Sequence, residues 1–392
     1  MRSNTLIFMA LAATTFLCAG CTLPATAPGA TPTNPPATPT SSPTPTPIPC
    51  SNAMVLATWT LTQLAEQTVV IPVSETGVTS IASEVAAGAG GVILFGSSAP
   101  TNLGAQLRTL DATAPHGIAP FVMTDEEGGV VQRMANLVGS IPSARQMGAT
   151  MSPDQIRQLA TLVAQRMRAA GITMDLAPVL DLDAGQGPNN RDPDGTRSFS
   201  LDPNITAADG AAFSAGLQAG GIIPVVKHFP GLGNASANTD VQPATTLPWT
   251  TLQHAGLIPF ERAFAAGAPA VMIANASIPG LTTLPASISP TLITGFLRNQ
   301  LGYQGLVMTD SLSGGALANI GYSVPRAVVA AIAAGADMVL YTADAPKVAA
   351  LTSATVAGLV AAVGTGTLDR TRLENAVVHI LSVKGVNLCS AG

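Results

Sequence analysis

From residue 60 onward, short apolar runs alternate with helical stretches of about 10 to 18 residues, the pattern of parallel β/α folds. Few architectures accept that pattern. A run that is apolar on both faces needs cover on both faces, as in parallel strands roofed by helices. Eight runs qualify: Thr68–Pro72, Gly91–Phe95, Pro120–Thr124, Thr173–Val179, Ile222–Val226, Ala270–Ala274, Gly305–Thr309 and Asp337–Tyr341. They predict an α/β fold, an eight-stranded parallel β/α barrel of the TIM type in a single domain. A doubly wound open sheet fits the same alternation. The helices between carry start and stop signals. Ser152-Pro153-Asp154-Gln155 reads as a cap, a first-turn proline and a capping-box partner, and Gly171 ends that helix. Ser289-Pro290 opens another in the same way, with Leu292, Ile293, Phe296 and Leu297 as its apolar stripe. Val324–Ala334 is a third, stopped by Gly335.

A barrel carries its active site at the C-terminal ends of its strands. There the sequence places Asp125-Glu126-Glu127-Gly128-Gly129, then Asp181 and Asp183, Lys227-His228, Asn275, Asp310 and Asp344. Any one of these carboxylates reads equally well as a loop cap. In a chain with only 10% charged residues, the set of them converging on one rim reads as a polar site. Lysine sharpens the point. Of the three lysines, Lys227 sits directly on the apolar Val225-Val226, whereas Lys347 and Lys384 fall on helical or tail segments and read as solvated.

Several of these strings are similar to one family. Asp125 to Arg133 (DEEGGVVQR), Asp175 to Asp183 (DLAPVLDLD), Arg197 to Phe199 (RSF), Lys227 to Gly231 (KHFPG) and Val307 to Ser313 (VMTDSLS) resemble, in order and spacing, segments of the family 3 glycoside hydrolases. The likeness spans roughly residues 55 to 385. About fifty residues follow the eighth strand, which favours the compact β-N-acetylhexosaminidase branch over the two-domain β-glucosidases. The resemblance implies that Asp310 is the nucleophile of a retaining glycosidase and that Asp125, Arg197, Lys227 and His228 hold sugar hydroxyls. Retaining chemistry suits those residue types: a carboxylate attacks the anomeric carbon, and cations beside it favour its ionised form. His228 has a structural alternative, a hydrogen bond to a neighbouring strand end.

One departure stands out. After KHFPG the family continues H-G, four residues, then D-S-H, whose last His is the acid/base. Here Leu232 replaces the first His, Asn238 the orienting Asp, and Asp240 the catalytic His. Either Asp240 is the acid/base, as a carboxylic acid is in most glycosidases, or the barrel binds sugar without turnover. Asn275 stands where the family often has His, which bears on the substrate. The implied function is hydrolysis of terminal β-linked N-acetylglucosamine-type sugars, possibly from peptidoglycan fragments. The alternatives are other β-glycosides such as β-glucosides, or a catalytically impaired carbohydrate-binding lipoprotein.

The amino-terminal part reads differently. Arg2 and the apolar Leu6–Leu17 make residues 1–20 a signal segment, and Cys18-Ala19-Gly20-Cys21 resembles a lipoprotein cleavage box with Cys21 as the lipidated residue. An ordinary secretory signal is the alternative. Residues 21–49 are a Pro/Thr-rich linker, and residues 50–392 the barrel domain. Export permits a disulfide between Cys50 and Cys389, which barrel closure brings side by side. Past residue 20, apolar stretches are short and broken by Gly, Asp or Pro, so no spanning helix is expected. The expected setting is the outer face of a bacterial membrane or envelope, with a lipid anchor as the only membrane contact, or secretion if the box is not used. A monomer with a carbohydrate substrate is expected. The net charge of -5 argues against nucleic acid. No cofactor and no metal cluster is implied.

Overall fold

The computed structural model describes residues 50–390; the signal segment, Cys21 and the Pro/Thr-rich linker lie outside the described residues. Eight parallel strands, β1 Val69–Ser74, β2 Gly91–Phe95, β3 Phe121–Thr124, β4 Met174–Asp175, β5 Ile223–Phe229, β6 Ala270–Ile273, β7 Leu306–Thr309 and β8 Val339–Leu340, pair in the order β8-β1-β2-β3-β4-β5-β6-β7. The ring then closes. Met308 of β7 bridges Met338 ahead of β8, and Leu312 N–H donates to Leu340 O at 2.8 Å. Closure removes the open-sheet alternative and leaves no bare edge among these strands.

Side chains alternate along each strand and so sort into two cores. Val70, Ile93, Met123, Val225, Met272 and Met308 fill the barrel interior, while Ile71, Val92, Val122, Val271 and Val307 pack outward under the helices. Ile380, from the last helix Arg370–Lys384, plugs the N-terminal end of the interior. At that same end a buried Asp337 accepts from Arg298 (2.5 Å), Arg372 (2.7 Å) and the His379 ring (2.9 Å). It ties the entry of β8 to two surrounding helices.

The helix signals hold. Ser152 and Gln155 form the reciprocal capping box, and Gly335 ends Val324–Ala334 at φ 116°. Two details differ from the sequence reading. The Thr291–Gln300 helix is wound wider than an α-helix, with Gly295 N–H donating to Pro290 O and Leu301 N–H to Phe296 O, five residues apart. Ala345–Gly364 forms a helical stretch long and apolar enough by composition to cross a membrane. Thr352, Val356 and Leu359 of that stretch are buried within the domain, so one face of the helix packs against the barrel.

Cys50 and Cys389 form a disulfide, with Cα atoms 5.9 Å apart and 339 positions of separation. Asn52 reinforces the junction, donating to Val386 O and accepting from Leu388 N–H, both at 2.8 Å. Thiol titration of the unfolded, unreduced domain is therefore expected to find neither Cys50 nor Cys389 reactive. Cys50→Ser should lower unfolding stability by about 2 to 4 kcal/mol in a denaturant titration, because it frees a long loop in the unfolded chain.

Candidate active site

A cavity of about 440 Å³ opens at the C-terminal ends of the strands. Asp125, Arg197, Lys227, His228, Asp240 and Asp310 all line it, so every residue expected to act on substrate reaches one space. Asp181, Asp183 and Asn275 are buried near it without lining it. Asp344 is a correction to the expected rim. The chain turns outward after β8, and Asp344 pairs with Lys347 at 2.7 Å on the exposed surface.

Lys227 and His228 both line the cavity although they are adjacent in β5, where side chains normally alternate. The pairing with β6 explains it. Val226 pairs with Val271 but Phe229 with Ile273, so β5 carries one extra residue there. Such a bulge re-aims a side chain. The strand thus runs through Lys227-His228 instead of stopping at Val226.

Glu127 organises the cations. It is buried, accepts two bonds from Arg197 (Nε 2.8 Å, Nη2 2.7 Å) and pairs with Lys227 Nζ at 2.7 Å. Burial pushes its carboxyl up, but Arg197 and Lys227 overcome that and hold it well below the ordinary carboxylate range. Lys227 also reaches Asp125 at 2.9 Å, and Arg133 lies 3.6 Å from Asp125. Burial opposes the Lys227 charge, and Asp125 and Glu127 more than restore it. The turn that delivers Asp125 and Glu127 needs glycine: Gly128 and Gly129 sit at φ 98° and 61°, and a Cβ on Gly128 would lie 2.3 Å from Pro142 O. Glu126 points elsewhere. Its Oε1 accepts the N–H groups of Arg133 (2.8 Å) and Met134 (2.7 Å), bracing the hairpin that follows β3. Burial pushes it up to about 7, suited to a general acid, but it does not line the cavity.

His228 lines the cavity and also makes the structural bond weighed for it, to Asp181 of a neighbouring strand end. Burial and the adjacent Arg197 pull its ring down to about 4, so it is neutral at pH 7. Its Nδ1–H then donates to Asp181 at 2.6 Å, and Nε2 accepts from Arg197 at 3.4 Å. Asp181 also accepts Leu232 N–H at 2.6 Å. Asp194 lies beside them, with Oδ1 3.9 Å from His228 Nδ1 and 3.5 Å from Arg197. Among the described residues, Asp181, Asp194 and His228 are the one set whose ligand atoms all lie within 4.8 Å. Asp181 and His228 spend their facing atoms on each other, and both Asp194 oxygens are buried without a hydrogen-bond partner.

Asp310 follows β7. Its N–H donates to Ile273 O (3.0 Å) and its Oδ1 accepts Ser311 N–H (2.7 Å). Burial pushes its carboxyl up, and the nearby Asp240 charge adds to that. Lys227 acts in the opposite direction. Asp240 is exposed at the tip of the loop after β5, its N–H donating to Asn238 Oδ1 at 2.9 Å. Three residues were given no individual role by the sequence reading: Glu127, Arg133 and Asp194. The first and second lie inside the DEEGGVVQR string, which was the available signal. Nothing local marks Asp194.

Comparison with known proteins gives a consistent result. Residues 66–383 match the glycosyl hydrolase family 3 N terminal domain. The chain is 34% identical over 312 residues to the β-hexosaminidase LpqI of Mycobacterium tuberculosis, covering 76% of each chain. It is 36% identical over 262 residues to a β-hexosaminidase of Stenotrophomonas maltophilia, covering 64% of this chain and 75% of the other. Among solved structures, a glycosyl hydrolase of the same family from Mycobacterium smegmatis superimposes with a TM-score of 0.76 at 32% identity, over 86% of this chain and 100% of that one. A β-N-acetylhexosaminidase from Beutenbergia cavernae gives 0.75 at 31%, over 84% and 100%.

The Glu127 pairing has a measurable cost of removal. Glu127→Ala removes the anion shared by the buried Lys227 and the partly buried Arg197 and should destabilise the fold by about 3 to 5 kcal/mol in urea titration, with Glu127→Gln losing less. The pH dependence has a definite sign. A carboxyl held below its unfolded value of about 4.3 stabilises fully above that pH and loses its contribution as pH falls. The stability gap between wild type and Glu127→Gln should be constant near neutrality and shrink in acid below about pH 4.

Proposed function

Because the chain belongs to glycosyl hydrolase family 3 and is a glycosidase, we propose that it removes terminal β-linked N-acetylglucosamine with retention of configuration. The observation that carries this reading is that two carboxyl groups, Asp310 and Asp240, line one cavity together with Lys227, Arg197 and Asp125. Asp310, half-buried and facing Lys227, attacks the anomeric carbon as the carboxylate. Asp240, exposed at the mouth, gives its proton to the leaving oxygen. The glycosyl ester on Asp310 is then opened by water, whose proton returns to Asp240. Lys227 and Arg197, fixed by Glu127, donate to sugar hydroxyls, Asp125 accepts from them, and His228 presents a neutral ring. The relatives named β-hexosaminidase support N-acetylglucosamine as the sugar. A signal segment with Cys21 as a lipid-anchor site supports an exported enzyme acting on cell-wall fragments.

Asp310→Asn is expected to lose nearly all turnover of an aryl β-N-acetylglucosaminide with its melting temperature retained. Product followed by NMR should appear first as the β-anomer. Early α-anomer, or an active Asp310→Asn, would overturn the assignment.

The leaving group separates Asp240 from a mere loop carboxylate. General acid help is worth about 10² to 10⁴ in rate and matters most for poor leaving groups. Asp240→Ala should therefore slow alkyl glycosides far more than dinitrophenyl glycosides, and azide should partly restore breakdown of the glycosyl-enzyme. Equal slowing of both would remove Asp240 from the role. No turnover of any β-glycoside by the wild type would leave a carbohydrate-binding protein.

A further inference from the structure

We propose that Gly314 and Gly315 are positioning residues for Asp240, seating the tip of its loop against the segment that carries Asp310; the inference rests on Asp240 being the acid/base. The loop between Gly233 and Thr246 is firm at its base. Leu232, Ala235, Ala237 and Ala244 bury themselves against Ala274 and Ala276, and Ser236 N–H donates to Thr245 O at 2.9 Å. The tip is different. Asp240, Val241 and Gln242 are exposed and have no apolar anchor.

Backbone bonds hold that tip. Gly315 N–H donates to Asp240 O at 2.8 Å and Ala316 N–H to Thr239 O at 2.9 Å. These are the first N–H groups of the short helix Gly315–Ala318, which have no partner within the helix. Asn319 Nδ2 adds a bond to Val241 O at 3.3 Å, and Asn238 N–H reaches Asn190 O at 3.3 Å.

Glycine is needed here for space and not for conformation. Gly314 sits at φ -62° and ψ 154°, which any residue adopts. A Cβ on Gly315, however, would lie 2.1 Å from Val241 O and 2.3 Å from its carbonyl carbon. One on Gly314 would lie 2.9 Å from Thr239 O. Those neighbours are backbone atoms, so the whole tip must retreat, by about 1 Å or more for an alanine at 315. A misplacement of about 1 Å costs on the order of 10²-fold in rate. The other side of the seat does not yield. Asp310 N–H is bonded to Ile273 O and Leu312 N–H to Leu340 O, both in the barrel wall. The separation of the two carboxylates, which a retaining enzyme must hold to about 5 to 5.5 Å, is thus referred to one short rigid segment.

The test compares Gly315→Ala, Asn319→Ala and Asp240→Ala, using an alkyl and a dinitrophenyl β-N-acetylglucosaminide, with hydrogen exchange of the amides of residues 315 and 316, which donate to the tip. Gly315→Ala is expected to slow the alkyl substrate at least about tenfold more than the dinitrophenyl one, in the manner of Asp240→Ala. Its amides at 315 and 316 should exchange faster while the melting temperature stays near that of wild type. Asn319→Ala, which adds no bulk, should move both readouts in the same direction by less, and it decides the matter if Gly315→Ala does not fold. Equal slowing of both substrates, or exchange at 315 and 316 like that of wild type, overturns the proposal. If Asp240→Ala itself shows no preference between leaving groups, the acid/base assignment falls. The exchange result then judges the seat alone: faster exchange supports it and unchanged exchange overturns it.

Discussion

Two cations buried beside one another would drive a protein apart unless an anion lies between them. Lys227 and Arg197 are in that position, and Glu127 is the anion. The desolvation cost of each charge is offset only by close, multiply bonded geometry. That requirement reaches outward. The tight turn at Gly128-Gly129 delivers Glu127, the bulge in β5 turns Lys227 toward it, and the segment ending at Arg197 comes in from the loop after β4. Asp125 and His228 then take their partners from the same network. The resulting cavity is a place where hydroxyl groups find donors and acceptors already oriented, which is what a sugar site requires.

The eight strands were legible because burial on both faces leaves a run no room for polar residues, and all eight formed. The rim was legible for a related reason: polar groups abutting such runs are conspicuous, and Asp125, Lys227, His228 and Asp310 reach the cavity. Asp344 was misread because adjacency to a strand end says nothing about which way the next turn goes. Glu127 follows Asp125 and Glu126, residues of similar or identical type, and the pattern of charges along the chain does not say which of these carboxylates faces inward. Asp194 belongs to an irregular loop with no periodicity to read. The bulge in β5 is likewise a property of pairing with β6, invisible in the strand alone.

The loop that departs from the family pattern is held by small side chains at its base and by backbone bonds at its tip. Small side chains, Ala235, Ala237 and Ala244, pack its base flat against Ala274 and Ala276, and its tip lies on the N–H groups of a neighbouring short helix. A side chain carried on such a tip is aimed by backbone contacts, so its neighbours in sequence matter less than the residues across the gap.

The disulfide lies at the pole opposite the cavity. Cys389 follows Lys384, whose Nζ donates to Ala119 O just ahead of β3, and Cys50 is knotted to it. Tension entering the domain through residue 50 therefore meets a covalent knot that joins the first and last helices before it reaches any strand. The load passes into the outer wall and is spread around the ring, and β1 is not peeled away from its neighbours.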